Sequence, residues 1–208
     1  MDLNKKYYSI DYDILLKEGT EEEQMMVLKE NPDLACKFLL GSKIESVQNY
    51  ALDKVNITEN FEKLLIRVYD TDDKLSEAIA EKLAESGNSN FRVNKKLVDA
   101  FNKVYREIKK GQYLFEYPKR KIFVITNIII NSRLKYKGGL ESKNVCNIIR
   151  RTKEILKNDP DLILNLWLNT VKNISKKDYK DMTNLYHDAV LLTEIMCHPL
   201  DILHLYNV

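Results

Sequence analysis

An all-α fold is what this chain of 208 residues encodes, on three grounds. Only six Gly and four Pro occur, too few for a β protein, which needs a turn every 8 to 12 residues or so. Apolar side chains recur three and four positions apart along most segments, the period of a helix with one buried face. Helix-start signals stand ahead of those segments: Thr20 with Glu23, Asn31-Pro32 and Asp159-Pro160. A 44% hydrophobic share beside 31% charged residues supplies a core and excludes a disordered chain.

The first firm helix start is Gly19-Thr20-Glu21-Glu22-Glu23, where Thr20 and Glu23 have capping-box spacing. Three carboxylates there meet the positive end of the helix dipole. Asn31-Pro32 predicts a second start, with Asn as N-cap, and Leu34, Phe38 and Leu39 follow up to Gly41-Ser42. Ile44, Val47, Ala51 and Val55 share one face of the next helix. Phe61, Leu64, Leu65 and Val68 share a face of the one after, closed by Asp70 to Asp73. Leu75, Ala78, Ile79 and Leu83 make another, ended by Ser86-Gly87-Asn88. Short paired helices with tight polar links are the pattern of an α-solenoid.

The residues Glu23-Gln24-Met25-Met26-Val27-Leu28-Lys29-Glu30-Asn31-Pro32-Asp33-Leu34-Ala35 resemble the short HEAT-like helical repeats of uncharacterised bacteriophage proteins. A second copy starts 24 residues later at Val47-Gln48-Asn49-Tyr50-Ala51-Leu52-Asp53-Lys54 and departs from the pattern after Lys54. A third, around Leu75 to Leu83, is more degenerate. The resemblance covers about 70 residues and implies a stacking scaffold, not an activity. It also implies a setting, a virus- or mobile-element-encoded modulator such as an inhibitor of a nucleic-acid-guided defence system.

From Asn90 the predicted helices lengthen. Val93, Leu97, Phe101, Val104 and Ile108 form one face of a helix that Gly111 ends. The run Ile122 to Ile130 is β-branched and would suit a buried strand. It lacks a partner strand, and an unpaired strand leaves its backbone unsatisfied. Residues 118–136 therefore read as a central helix, apolar nearly all round, with Arg120, Asn127, Asn131 and Lys135 as a polar stripe. After Gly138-Gly139, Val145, Ile148, Ile149, Thr152 and Leu156 face inward. Asp159-Pro160 opens the helix of Leu162, Ile163, Leu166, Trp167 and Val171. Ser175 to Asp178 opens the last long helix, expected to bury Met182, Leu185, Tyr186, Ala189, Leu192 and Met196, and Pro199 begins a terminal turn.

Charge divides the chain. Residues 1–91 carry 11 Lys or Arg against 19 Asp or Glu, and residues 92–208 carry 22 against 12, so the net +2 hides −8 and +10. The expected organisation is an acidic HEAT-like half, 1–89, followed by a basic, irregular helical bundle, 90–208, packed as one continuous unit. Arg92 to Lys157 alone holds 18 basic and 5 acidic residues. Such a stretch suits phosphates, with nearby aromatics to stack or position. The candidate nucleic-acid-binding residues are Arg92, Lys95, Lys96, Lys103, Arg106, Lys109, Lys110, Lys119, Arg120, Lys121, Arg150 and Arg151, with Tyr105 and Tyr113 (beside Phe115 and Tyr117) as the aromatics. The acidic repeats suit a basic protein surface, and opposite-charge halves suit a homo-oligomer.

Enzyme signatures are missing: no G-x-S-x-G, P-loop or G-x-G-x-x-G occurs. His187-Asp188 resembles the metal-binding dipeptide of HD phosphohydrolases, yet no His precedes residue 187. His187, Glu194 and His198 share a helical face without the i,i+4 His pair of zinc helices. Cys36, Cys146 and Cys197 form no CxxC, so no cofactor, metal or disulfide framework is expected. With no signal-type apolar run and none long enough for a bilayer, a cytoplasmic, non-membrane chain is expected. Two alternatives stay open: a glycosylase-like enzyme on a HEAT-like scaffold, using Asp99 or Glu107, and an assembly protein.

Overall fold

Every described element is helical, with eleven α-helices and one 3-10 turn and no strand among residues 11–111, 118–135, 140–180 and 182–196, the parts that the computed structural model describes. Contacts divide the chain into two units, Met1–Arg67 and Val68–Val208. The boundary falls inside one helix. Residues 89 and 90, where the acidic and basic halves meet, lie within the second unit, and Asn90 there is the N-cap between two consecutive helices.

The first described helix, α1 (Tyr12–Glu18), is capped by Asp11 and precedes the helix start expected at Thr20. Next come α2 (Glu21–Glu30), α3 (Ala35–Gly41) and α4 (Glu45–Lys54). The Thr20–Glu23 capping box is present in both directions. Asn31-Pro32 does not start an α-helix directly, however. Pro32–Leu34 is a 3-10 turn, and the Asn31 side chain donates back to the Val27 carbonyl at 3.0 Å, not to the helix ahead.

Lengths then repeat, 7 and 10 residues for α1 and α2, and again 7 and 10 for α3 and α4. Like packs on like, α1 against α3 and α2 against α4. Each longer helix has Gln as its fourth residue. Gln24 Nε2 donates to the Gly19 carbonyl at 3.0 Å, and Gln48 Nε2 to the Ser42 carbonyl at 2.6 Å, so each satisfies the cap of the helix before it. Gln24 is 1% exposed and its Oε1 also accepts from Ser42 Oγ. α5 (Ile57–Asp70) follows, with Ile57, Phe61, Leu64, Leu65 and Val68 buried.

The second unit is organised by α8 (Pro118–Lys135), which packs against α6 (Lys74–Ser89), α7 (Phe91–Lys109), α9 (Ser142–Leu156) and α10 (Pro160–Ile174). The β-branched run is thus helix. Surrounded on four sides, it buries Ile122, Ile125, Ile128, Ile129, Ile130 and Leu134. Inside that core Thr126 Oγ1 and Thr152 Oγ1 stand 2.6 Å apart, each also within reach of its own i−4 carbonyl (Ile122 and Ile148), so one hydroxyl donates to the other and the second donates to its carbonyl.

Two sequence expectations give way here. Gly87 does not end α6. It is buried within it, and a Cβ there would stand 2.8 Å from Ser132 Oγ of α8, so close helix packing and not termination calls for glycine. In α11 (Met182–Met196) the buried residues are Asp188, Leu191 and Ile195, one position off the expected set, while Met182, Tyr186 and Met196 are exposed. Apolar residues line both sides of this helix, so periodicity could not choose between them. Burying Asp188 is the unexpected step. The terminal turn expected at Pro199, the Gly138-Gly139 break and Cys197 lie outside the described residues.

Candidate nucleic-acid interface

Helix α7 carries the candidate surface. Val93, Leu97, Phe101 and Val104 are buried on one side. At 100° per residue, the opposite side presents Arg92, Lys95, Lys96, Lys103, Arg106 and Lys110, a row roughly 27 Å long at 1.5 Å per residue. Arg92, Lys95, Lys103, Arg106 and Lys110 are exposed and Lys96 is half-buried. Asp99 is the acidic residue in that row. Asn90 caps the helix from Oδ1, which accepts from the Arg92 and Val93 amides, and Gly111 (φ 68°) follows its last turn in the left-handed region.

Beside the row, α7 and α9 bound an open groove of about 780 Å³ lined by Asp99, Asn102, Lys103, Tyr105, Arg106 and Arg151. Arg151 of α9 reaches across to α7. Its guanidinium carbon lies 5.5 Å from the Tyr105 ring centroid, and Nη1 donates to Asn102 Oδ1 at 3.2 Å. Tyr105 also stacks on Phe101, at 6.0 Å and 13°, and donates its hydroxyl to Glu154 Oε2 at 2.8 Å. Glu154 takes Lys109 as well. These two hydrogen bonds, from Lys109 first and then Tyr105, hold the Glu154 carboxyl below its ordinary range.

The other candidates are spent on carboxylates elsewhere. Lys119 pairs with Asp159 at 2.5 Å and Arg120 with Asp72 at 3.6 Å. Lys121 is 6% exposed, 3.9 Å from Asp70 and 5.0 Å from the Tyr69 ring centroid, and burial pushes its pKa down. Arg150 grips Glu194 with Nε at 2.7 Å and Nη2 at 2.9 Å. The structure therefore brings Arg92, Lys95, Lys96, Lys103, Arg106, Lys110, Arg151 and Tyr105 to one side of α7 and α9, and holds Lys109, Lys119, Arg120, Lys121 and Arg150 in ion pairs. Tyr113, Phe115 and Tyr117 lie outside the described residues. Glu154 was not foreseen, because its partners are 45 and 49 residues away and no local pattern links them.

Of the carboxylates weighed for catalysis, Asp99 lines the groove. Glu107 turns instead towards Lys121, with Oε2 enclosed and unbonded. Glu194 is held by Arg150, and Asp188 accepts from Lys177 and Tyr179. Among the described residues no group of three or more His, Cys, Asp or Glu is arranged to hold a metal, and no helix is long and apolar enough to cross a membrane.

No family model matches the chain, and no curated protein or solved structure does either.

Proposed function

We propose that this chain is a stoichiometric binding protein whose α7 face, with Arg151, meets the phosphates of a nucleic acid or nucleoprotein. The observation that supports this reading is the row of six cations on the outward side of α7, interrupted by Asp99 alone. A row spaced at three and four residues follows a phosphate backbone and carries no base code. Tyr105 is already stacked by Phe101 and covered by Arg151, so a base stacking on it must first displace protein. The contact is therefore electrostatic and independent of sequence. The 7-and-10 helix pairs and their equivalent glutamines support a HEAT-like scaffold for the first unit. The repeat resemblance adds the setting, a virus-encoded modulator of a nucleic-acid-guided complex.

Mobility shift with single- and double-stranded DNA and RNA across a salt series is the test. Binding that weakens steeply with salt, without turnover, supports the reading. Strand scission or base release would replace it with an enzyme acting through Asp99. No binding, together with mass that grows with concentration in light scattering, would replace it with assembly.

A further inference from the structure

A second concave site lies in the second unit, between the C-terminal end of α8, the α10–α11 connection and the first two turns of α11. It holds about 300 Å³ and shares no residue with the α7–α9 groove. Arg133 and Lys135 of α8, Lys177 and Lys180 of the connection and His187 of α11 all line it. Opposing them are Asp178, which is exposed, and Asp188, which is 5% exposed.

The Asp188 charge is already answered. Its Oδ2 accepts from Lys177 Nζ at 2.5 Å and from the Tyr179 hydroxyl at 2.7 Å. Lys135 leans towards Glu85 and Glu81 at 3.5 and 4.0 Å. Arg133 gives Nη2 to Ser142 Oγ at 3.1 Å, a neutral partner, and no ion pair to Arg133 forms among the described residues. With Lys177 and Asp188 cancelling and Asp178 offsetting one further cation, the described lining keeps a positive balance of about one charge from Arg133, Lys180 and part of Lys135. An enclosed ion pair seldom adds net stability, because desolvation offsets the attraction. What the Lys177–Asp188–Tyr179 brace does is fix residues 177–180 against α11, which sets Lys180 at the pocket.

We propose that this pocket binds a phosphate-type oxyanion, either free phosphate or the phosphate group of a small ligand. A guanidinium fork takes two oxygens of such an anion, and an ammonium adds a point charge beside it. The volume is at the lower end for small-molecule sites, which suits a compact phosphomonoester. The proposal stands apart from the nucleic-acid reading, and either can fail alone.

The test is thermal unfolding and isothermal titration of the full chain with inorganic phosphate and with adenosine monophosphate, each against chloride at equal ionic strength. Saturable binding and a rise in Tm over the chloride control are expected. Lys180→Glu should weaken binding at least tenfold, while Lys172→Glu, an equal charge change on an exposed α10 lysine outside the pocket, leaves it unaltered. Tighter binding of the nucleotide identifies a small phosphorylated ligand, and equal binding identifies phosphate itself. The proposal is overturned if neither anion exceeds chloride, or if the two variants weaken binding alike.

Discussion

Single side chains in this protein matter most where charge is enclosed. Asp188 is nearly buried and answers both Lys177 and Tyr179. Asp188→Ala leaves an ammonium without its counter-charge, so a loss of about 2–4 kcal/mol is expected in urea unfolding. Adding Lys177→Ala should recover part of that loss, and strictly additive costs would show that the pair is not coupled. Lys121 is the opposite case, because burial disfavours its charge while the Tyr69 ring face at 5.0 Å and Asp70 at 3.9 Å only partly offset that cost. Lys121→Met should change stability by no more than about 1 kcal/mol, in either direction. Glu154 sets a pH dependence. Its pKa is depressed in the fold, so the stability it adds is present above the ordinary value of 4.5 and is lost as pH falls through the lower folded value. Glu154→Gln should flatten the acid limb of a stability–pH curve below 4.5, and an unaltered limb would assign the acid response to other carboxylates.

At the scale of elements, α7 separates an exposed cationic side from a packed one. If its six cations each neutralise a phosphate of duplex DNA, the log–log salt slope is about −5. Lys103→Ala or Arg106→Ala should each bring that slope about one closer to zero, whereas Lys119→Ala and Arg120→Ala, whose cations are already paired with Asp159 and Asp72, should leave it nearly unchanged. Anisotropy titrations across salt read the difference. In the first unit, Gln24→Leu removes bonds to Leu15, Gly19 and Ser42, while Gln48→Leu removes one bond, to Ser42. The first is expected to cost about 1–3 kcal/mol and more than the second. Equal costs in urea unfolding would show that the buried network adds nothing beyond the shared cap.

On the scale of the molecule, α8 is the organising element of the second unit, walled in by α6, α7, α9 and α10. That explains why a run with strand-like composition forms a helix: a helix satisfies its own backbone bonds and can be apolar all round when its neighbours cover it. Much of this was legible in the residues. The all-helical class, the Thr20 cap, the inward faces of α7 and α9 and the central helix follow from local spacing, since a cap or a 3.6-residue period is completed within a few positions. What was not legible involves groups far apart. Gly87 reads as a helix end until Ser132 is seen beside it, and α11 reads one residue out of phase until Asp188 finds Lys177 and Tyr179.

The amino-acid sequence alone determined that the chain is helical and that its positive charge gathers in the middle third. Only the tertiary structure decided where those charges go: Lys109, Lys119, Arg120, Lys121 and Arg150 meet carboxylates, while Arg92, Lys95, Lys103, Arg106 and Lys110 line the exposed side of α7 and Arg151 covers Tyr105. The reason is physical. Helix formation depends on neighbours within about four residues, whereas an ion pair depends on whichever carboxylate the fold brings within 4 Å, however distant along the chain.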